Sequence, residues 1–276
     1  MYHKLARGYA TAYLEKLQTY DAVEDWFEGR RCIQAITSFE QSAQSKKAGR
    51  CAKRLVPFLK PVFQQPRVGF WTRGSKLAIS QAVSAAPESR VFDLDETTRP
   101  IFSERSAFLS NLFLGEVDGE FDARLLTVAN ISHHALARIV ERELVVPEKL
   151  ALEARNILGL TRNLAMTFSL TDLDQDEAYA FLLPYKGGAL PVVTMRISAD
   201  SREASENRWI MSVRTFLTAD MLKQSDHERM GGFHEATALI SSDGSSEAIS
   251  RWMEENARPW TLAAADNRNV ETPALL

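Results

Sequence analysis

The sequence predicts an α+β protein with a helical N-terminal part, followed by a helix and an antiparallel β-meander. Two observations carry this prediction. Apolar residues recur at helical intervals through residues 9–60 and again through residues 131–145. After residue 178, short runs of apolar and β-branched residues alternate with clusters of turn residues, as in strands joined by hairpins.

The N-terminal part is predicted to be helical as far as residue 60. Its third helix begins near residue 43 and should end at Pro57 or Pro61, because proline cannot continue the hydrogen-bond ladder. Beyond that point, prolines and glycines interrupt the apolar pattern. There we expect two short strands and one further helix, at residues 67–72, 90–94 and 101–114.

The C-terminal part begins with a helix over residues 131–145, whose first turn Ser132 can cap with its hydroxyl oxygen. The elements expected after it are a helix at 147–160, strands at 178–183, 189–197 and 208–217, a turn at 184–188, an element within 230–240 and a helix at 246–256. This layout divides the chain into a mainly helical region, 1–120, and an α+β domain, 121–276.

Composition excludes several classes of protein. The chain has 276 residues, of which 45% are apolar and 25% are charged, as in ordinary globular proteins. No uninterrupted apolar run approaches the ~20 residues that span a bilayer, and the first residues lack the apolar core of a signal peptide. We therefore expect a cytoplasmic protein, with Cys32 and Cys51 reduced and packed in helices. We expect neither a metal nor a cofactor, since two thiols alone do not form a zinc site.

Charge is distributed unevenly along the chain. Residues 41–87, the basic segment, contain no Asp or Glu but nine Lys and Arg: Lys46, Lys47, Arg50, Lys53, Arg54, Lys60, Arg67, Arg73 and Lys76. The net charge of −3 then leaves the remainder at −12, from 24 Lys and Arg against 36 Asp and Glu. Aromatic residues lie among these cations, at Phe58, Phe63, Phe70 and Trp71. Such a segment is typical of a surface that binds a polyanion, and the first five cations, as far as Arg54, are the predicted contacts to nucleic acid.

A second feature is a row of cationic and titratable side chains on the helix at 131–145. His134, Arg138 and Arg142 follow one another at i, i+4 spacing and therefore share one face, whereas the apolar residues share another. We call these three residues the histidine–arginine row. An imidazole in the first turn of a helix, followed by two guanidinium groups, is an arrangement that can bind phosphate.

The row and the strands that follow it resemble the RelE-like branch of the barnase–EndoU–colicin–RelE group of small nucleases. Members often carry a helical His-Ala-x-x-Arg-x-x-x-Arg segment ahead of a four-stranded antiparallel sheet. The resemblance covers residues 125–225, including the strand that ends in Val213-Arg-Thr215. Many members are ribonuclease toxins or domains derived from them, so a toxin or a defence effector is implied.

This resemblance implies RNA cleavage without a metal, in which a ribose 2′-hydroxyl attacks the adjacent phosphorus and expels the 5′-oxygen. His134 would act as base or acid, Arg138 and Arg142 would bind the phosphate, and Thr215 would support them. Further candidates are the donors Lys186, Arg196 and Arg214 and a second histidine, His227 or His234. The implied partners are RNA and a protein inhibitor or antitoxin.

A competing motif lies at residues 91–97, which resemble the Asp-x-Asp-x-Thr loop of the haloacid-dehalogenase phosphatases. In that family the first aspartate, here Asp93, attacks phosphorus, the second, here Asp95, is the acid–base, and Mg²⁺ neutralises charge. Later candidates for the same chemistry are Ser132, Lys149, Asp172 and Asp176. The match weakens because only two apolar residues precede Asp93, where the family has a buried parallel strand.

The third interpretation is a non-catalytic module that binds nucleic acid or another protein. It needs the basic segment but no chemistry from the histidine–arginine row. Histidine and arginine at i, i+4 positions often make only local contacts, and Glu141 and Glu143 lie close enough in sequence to neutralise the guanidinium groups.

Overall fold

Eight strands pair into one mixed sheet in the computed structural model, which describes residues 2–30, 32–34, 37, 78–86, 105–117, 120–143, 145–168, 170–174, 177–197, 208–236 and 247–259. The strands are β1 (Gln18–Thr19), β2 (Ala78–Ala86), β3 (Ser106–Val117), β4 (Glu120–Ser132), β5 (Tyr179–Tyr185), β6 (Gly188–Ile197), β7 (Arg208–Val213) and β8 (Arg258–Pro259). The helices are α1 (Tyr2–Glu15), α2 (Tyr20–Glu28), α3 (His133–Glu143), α4 (Pro147–Phe168), α5 (Gln224–Met230) and α6 (Glu247–Asn256), with a 3₁₀ turn at Ala219–Met221.

The sheet consists of two antiparallel meanders that meet at its centre. The spatial order is β1-β2-β3-β4-β7-β6-β5-β8, so β2–β4 form one meander and β5–β7 the other. They join where β4 and β7 pair in parallel, an arrangement that requires a long connection between the two strands. Helices α3 and α4 are part of that connection. Each edge of the sheet ends in a strand of only two residues, which limits pairing with other chains.

One face of the sheet packs against α1, α3 and α4. On that face Val83, Leu109, Ala129 and Met211 follow one another across β2, β3, β4 and β7, and we call them the apolar row. All four belong to one buried cluster with the inner faces of the three helices. Burial of a side chain such as leucine contributes about 1.5–3 kcal/mol, so this layer supplies much of the driving force for folding.

The N-terminal helix α1 lies antiparallel to α3. Ala6, Ala10 and Leu14 recur at i, i+4 spacing along its buried face. At one end His3 contacts Glu141, and at the other the Nε2–H of His133 donates to the Arg7 carbonyl at 3.3 Å. The two helices are therefore bonded at both ends of their contact.

The structure confirms the α+β class and most elements of the C-terminal half. Ser132 caps α3, because its Oγ accepts a hydrogen bond from the backbone N–H of Ala135 at 3.0 Å. The predicted strands appear as β5, β6 and β7, and the predicted short helix appears as α6. The turn between β5 and β6 has positive φ at Lys186 and Gly187, the conformation of a type I′ hairpin turn.

The prediction of a helix at residues 101–114 was wrong. Residues Ser106–Val117 form β3, which pairs with β2 on one side and β4 on the other. Residues 106–112 are buried on both faces, so their apolar pattern has no polar face that would distinguish a central strand from a helix. The meander prediction was also incomplete, since the sheet extends through β2–β4 and contains two parallel pairs, β1–β2 and β4–β7.

Several other predictions about the N-terminal half are not tested by the structure. The helix from residue 43 and the strands at 67–72 and 90–94 lie outside the described residues. The same holds for the basic segment up to residue 77. The division at residue 120 stays a prediction as well, although β3 and β4, on either side of it, pair in one sheet.

Candidate functional site

Helix α3 starts at the centre of the sheet, where the two meanders meet. Ser132 ends β4, and its hydroxyl donates to the carbonyl of Arg214, just beyond β7, at 3.3 Å. The backbone N–H of His133 donates to the Arg105 carbonyl at 2.8 Å. With the Ser132 cap on Ala135, two N–H groups of the first turn are thus bonded within the fold. This reduces the capacity of that turn to bind an anion.

Arg138, the middle residue of the histidine–arginine row, is paired with a carboxylate of its own helix. Its Nη1 donates to Glu141 Oε2 at 2.7 Å, and Nδ1 of His3 lies 3.3 Å from the same oxygen. Partial burial by itself would raise the pKa of the Glu141 carboxyl, but the bonds from His3 and Arg138 outweigh it and lower the pKa below its usual range. Glu141 therefore stays ionised at neutral pH and joins α1 to α3.

Arg142, the last residue of the row, binds the segment that follows β7. Its Nη1 donates to the carbonyl of Phe216, and Asp220 attracts its charge. Burial lowers the pKa of the guanidinium, and repulsion from Arg138 acts in the same direction. The structure thus brings Arg142 to the segment that contains Thr215, which is half-buried.

His134 is half-buried at the opposite end of the row. Eight residues of helix separate it from Arg142, a rise of about 12 Å. A single phosphate group is much smaller than this distance, so simultaneous contact depends on the reach of the two arginine side chains. Arg138 and Arg142 both already bond within the fold.

A second charged cluster lies where α4 meets the β5–β6 turn. Glu153 on α4 accepts hydrogen bonds from the Tyr185 hydroxyl and the Lys186 ammonium group. Burial raises the pKa of the Glu153 carboxyl, but these two bonds outweigh that effect and the pKa is lowered. Lys186, a predicted supporting donor, is therefore bound to Glu153. Sequence analysis missed this cluster, because its members are 32 and 33 residues apart.

The Glu153 cluster adjoins the histidine–arginine row through Phe216, whose carbonyl accepts the bond from Arg142. The Tyr185 ring meets the Phe216 ring edge-on, with centroids 6.4 Å apart. Gly188 makes this contact possible, because a Cβ there would lie 2.1 Å from the Leu217 carbonyl oxygen. The backbone N–H of Ala189 also donates to that oxygen, at 2.8 Å. The corner formed by the β5–β6 turn and residues 216–217 is thus held by side-chain and backbone contacts.

The remaining candidates are dispersed or lie outside the described residues. His227 is exposed on α5, which contacts β5, and exposed His234 stands beside the ring of Phe233. The side chain of Arg196 lies outside the described part of the chain. The same holds for nine further residues named in the sequence analysis: Lys46, Lys47, Arg50, Cys51, Lys53, Arg54, Asp93, Asp95 and Asp176. Lys149 and Asp172 are both exposed, and Ser132 serves as the cap of α3.

Several further observations limit the chemistry. Within the described ranges, no group of three or more His, Cys, Asp and Glu side chains is arranged to hold a metal ion. Burial raises the pKa of the Cys32 thiol to about 11, which keeps it protonated at neutral pH. A cleft of about 310 Å³ lies between α6 and Leu170, lined by Ser250 and by charged side chains of both signs: Glu247, Arg251 and Glu254. Among the described helices, none is both long and apolar enough to cross a membrane.

Comparison with known protein families, with curated proteins and with solved structures gave no match. The resemblance to RelE-like nucleases therefore stays a prediction that depends on the histidine–arginine row and Thr215.

Proposed function

We propose that this protein binds a polyanion, with single-stranded RNA as the leading candidate, through the basic segment, and that it does so without cleaving it. The observation that carries the proposal is the charge of residues 41–87, where nine Lys and Arg stand with no Asp or Glu. Phosphate groups bind such a segment by releasing condensed counterions, whatever the base sequence. Aromatic residues among the cations suit unpaired bases.

Binding without cleavage is supported by the contacts of the row. Arg138 is paired with Glu141, and Arg142 donates to the Phe216 carbonyl. A guanidinium that stabilises a transition state must be available to the phosphate oxygens. Here both groups would first have to leave partners that join α1, α3 and the segment after β7.

Salt-dependent binding of the full chain to a fluorescent single-stranded RNA tests the proposal. Each phosphate contact on a single strand contributes about 0.7 to the slope of log affinity against log salt. Replacing Lys46, Lys47, Arg50, Lys53 and Arg54 together with alanine should therefore reduce the slope by about 3.5. A control of equal charge replaces five exposed cations of the described helices and their flanks: Lys4, Arg7, Lys16, Lys223 and Arg251. Equal losses of affinity in the two variants would contradict binding through the basic segment.

A RelE-like ribonuclease is the second candidate, and one observation favours it. The bond from Arg142 to Phe216 joins α3 to the residue that follows Thr215, the supporting residue that the resemblance implies. The same RNA, incubated with the protein in EDTA and resolved on a denaturing gel, separates the two candidates. Intact RNA supports binding alone, whereas cleavage by the wild type that His134→Ala and Arg138→Ala both abolish supports the ribonuclease.

A further inference from the structure

A row of three polar residues and one phenylalanine crosses the sheet on the face opposite the apolar row. Ser84 pairs with Phe108, Phe108 with Asn130, and Asn130 with Ser212, across β2, β3, β4 and β7. Residues that are directly paired on neighbouring strands point to the same side, and successive residues of a strand alternate. We call these four residues the polar row.

The polar side chains of this row are enclosed and unpartnered. Ser84, Asn130 and Ser212 each have a relative exposure of 0%. Within the part of the chain that the structure describes, no hydrogen-bond partner exists for the two hydroxyl oxygens or for either amide atom of Asn130. Buried polar groups in native proteins are almost always bonded, so four such atoms in one row need an explanation.

Neighbouring polar residues on the same face do have partners. Ser110 and Thr127 bond to each other through their hydroxyls at 3.0 Å, and Ser132 bonds to Ala135 and Arg214. On the other face, the same strands carry only apolar residues in the apolar row. Among the described strand residues, the buried polar atoms without a partner are therefore confined to one row, where apolar side chains would avoid the desolvation of polar atoms.

The chemistry of the row defines what it can bind. A serine hydroxyl both donates and accepts, and a free asparagine amide offers a donor and an acceptor side by side. None of these groups is charged, and an ion would lose its hydration without a compensating charge. Strands are about 4.8 Å apart, so one small group can reach Asn130 and Ser212 together.

We propose that Asn130 and Ser212 form an internal binding site for an uncharged ligand that both donates and accepts hydrogen bonds. Such a ligand is either solvent water or the amide or base edge of a small molecule. The proposal is independent of polyanion binding, because it uses no charged residue and no part of the histidine–arginine row.

Thermal unfolding of the full chain tests whether the Ser212 hydroxyl is hydrogen-bonded to a ligand. Ser212→Ala should lower Tm by about 2–4 °C, as loss of a satisfied hydrogen bond does in a protein of this size. The matched control is Thr127→Val, which removes a hydroxyl that is hydrogen-bonded to Ser110. An unchanged or higher Tm in Ser212→Ala, with a lower Tm in Thr127→Val, would show that Ser212 binds nothing and would overturn the site.

Nuclear magnetic resonance of the wild-type chain, labelled with ¹⁵N-asparagine, distinguishes bound water from a bound small molecule. The Asn130 side-chain signal is assigned by its loss in Asn130→Asp. Cross-relaxation with long-lived water supports a water site. A saturable shift on addition of nicotinamide or adenine, lost in Ser212→Ala, supports a small-molecule site. If the signal shows neither effect, the proposal is wrong.

Discussion

Glu141 and Glu153 each join a helix to a neighbouring element, but they differ in burial and in the distance along the chain to their partners. The side chain of Glu141 is 23% exposed and meets His3 and Arg138, the latter on its own helix. The side chain of Glu153 is 10% exposed and meets Lys186 from a hairpin 33 residues later. Arg138 is 28% and Lys186 43% exposed, so the difference between the pairs lies in the carboxylates. Water screens Glu141 more strongly, whereas Glu153 is more buried and also accepts a hydrogen bond from the Tyr185 hydroxyl. The Glu153 cluster should therefore hold the fold, and the Glu141 cluster should be adjustable.

This difference bears on function, because Arg138 belongs to the adjustable cluster. A guanidinium held by a partly exposed carboxylate costs less to release than one bonded to the backbone of a buried residue such as Phe216. Arg142, bonded to the carbonyl of Phe216 next to the Glu153 cluster, belongs to the more rigid corner. Of the two arginines, Arg138 is the one whose release the structure tolerates.

The largest expected effect is that of Glu153→Ala. It removes the acceptor of both the Tyr185 hydroxyl and the Lys186 ammonium group. Since Lys186 is partly exposed and can regain water, we expect a loss of about 2–3 kcal/mol in the free energy of unfolding. Urea denaturation followed by circular dichroism measures it.

The matched control is Asn156→Ala, at an exposed position of the same helix. Its effect should stay within about 0.5 kcal/mol. If Glu153→Ala is as mild as this control, the comparison between the two carboxylates fails.

An intermediate effect is expected from pH. The folded-state pKa values of Glu141 and Glu153 are both lowered, so each carboxylate contributes stability that is complete above its unfolded pKa and is lost as pH falls through the folded value. The stability difference between the wild type and Glu153→Gln, about 1–2 kcal/mol at pH 7, should shrink as pH falls below about 4.3, the ordinary glutamate value. Urea titrations at pH 7, 5, 4 and 3 measure it. If the stability difference between the wild type and Glu153→Gln instead widens as pH falls, the pKa of Glu153 is not lowered in the folded state.

Local features of the fold could be predicted from the sequence, whereas the central features could not. The Ser132 cap, the hairpin between β5 and β6, and the Arg138–Glu141 contact each depend on residues at most a few positions apart. Their spacing alone indicates a helix start, a turn or an ion pair. Strand β3 was not predicted, because its residues 106–112 are buried on both faces and their pattern has no single period.

The candidate site shows the same division. The bond from Arg142 to Phe216 spans 74 residues, and the contacts of Glu153 span more than thirty. Both depend on the parallel pairing of β4 with β7 and on Gly188, which lets the segment after β7 approach the hairpin. No periodicity or motif encodes a pairing between strands so distant in the chain, so the sequence indicated the members of the row and the Glu141 partner of Arg138, but not the partner of Arg142.

The smallest expected effect is that of Glu141→Gln, and it connects the comparison to RNA. The substitution weakens the bonds to His3 and Arg138 and should lower the free energy of unfolding by about 0.5–1 kcal/mol, since the group is partly exposed. It also releases the charge of Arg138. If the basic segment alone contacts RNA, the affinity should match that of Glu255→Gln, a change of equal charge at an exposed position of α6. Fluorescence anisotropy at several salt concentrations measures both. Tighter binding by Glu141→Gln alone would place Arg138 at the phosphate and favour the ribonuclease.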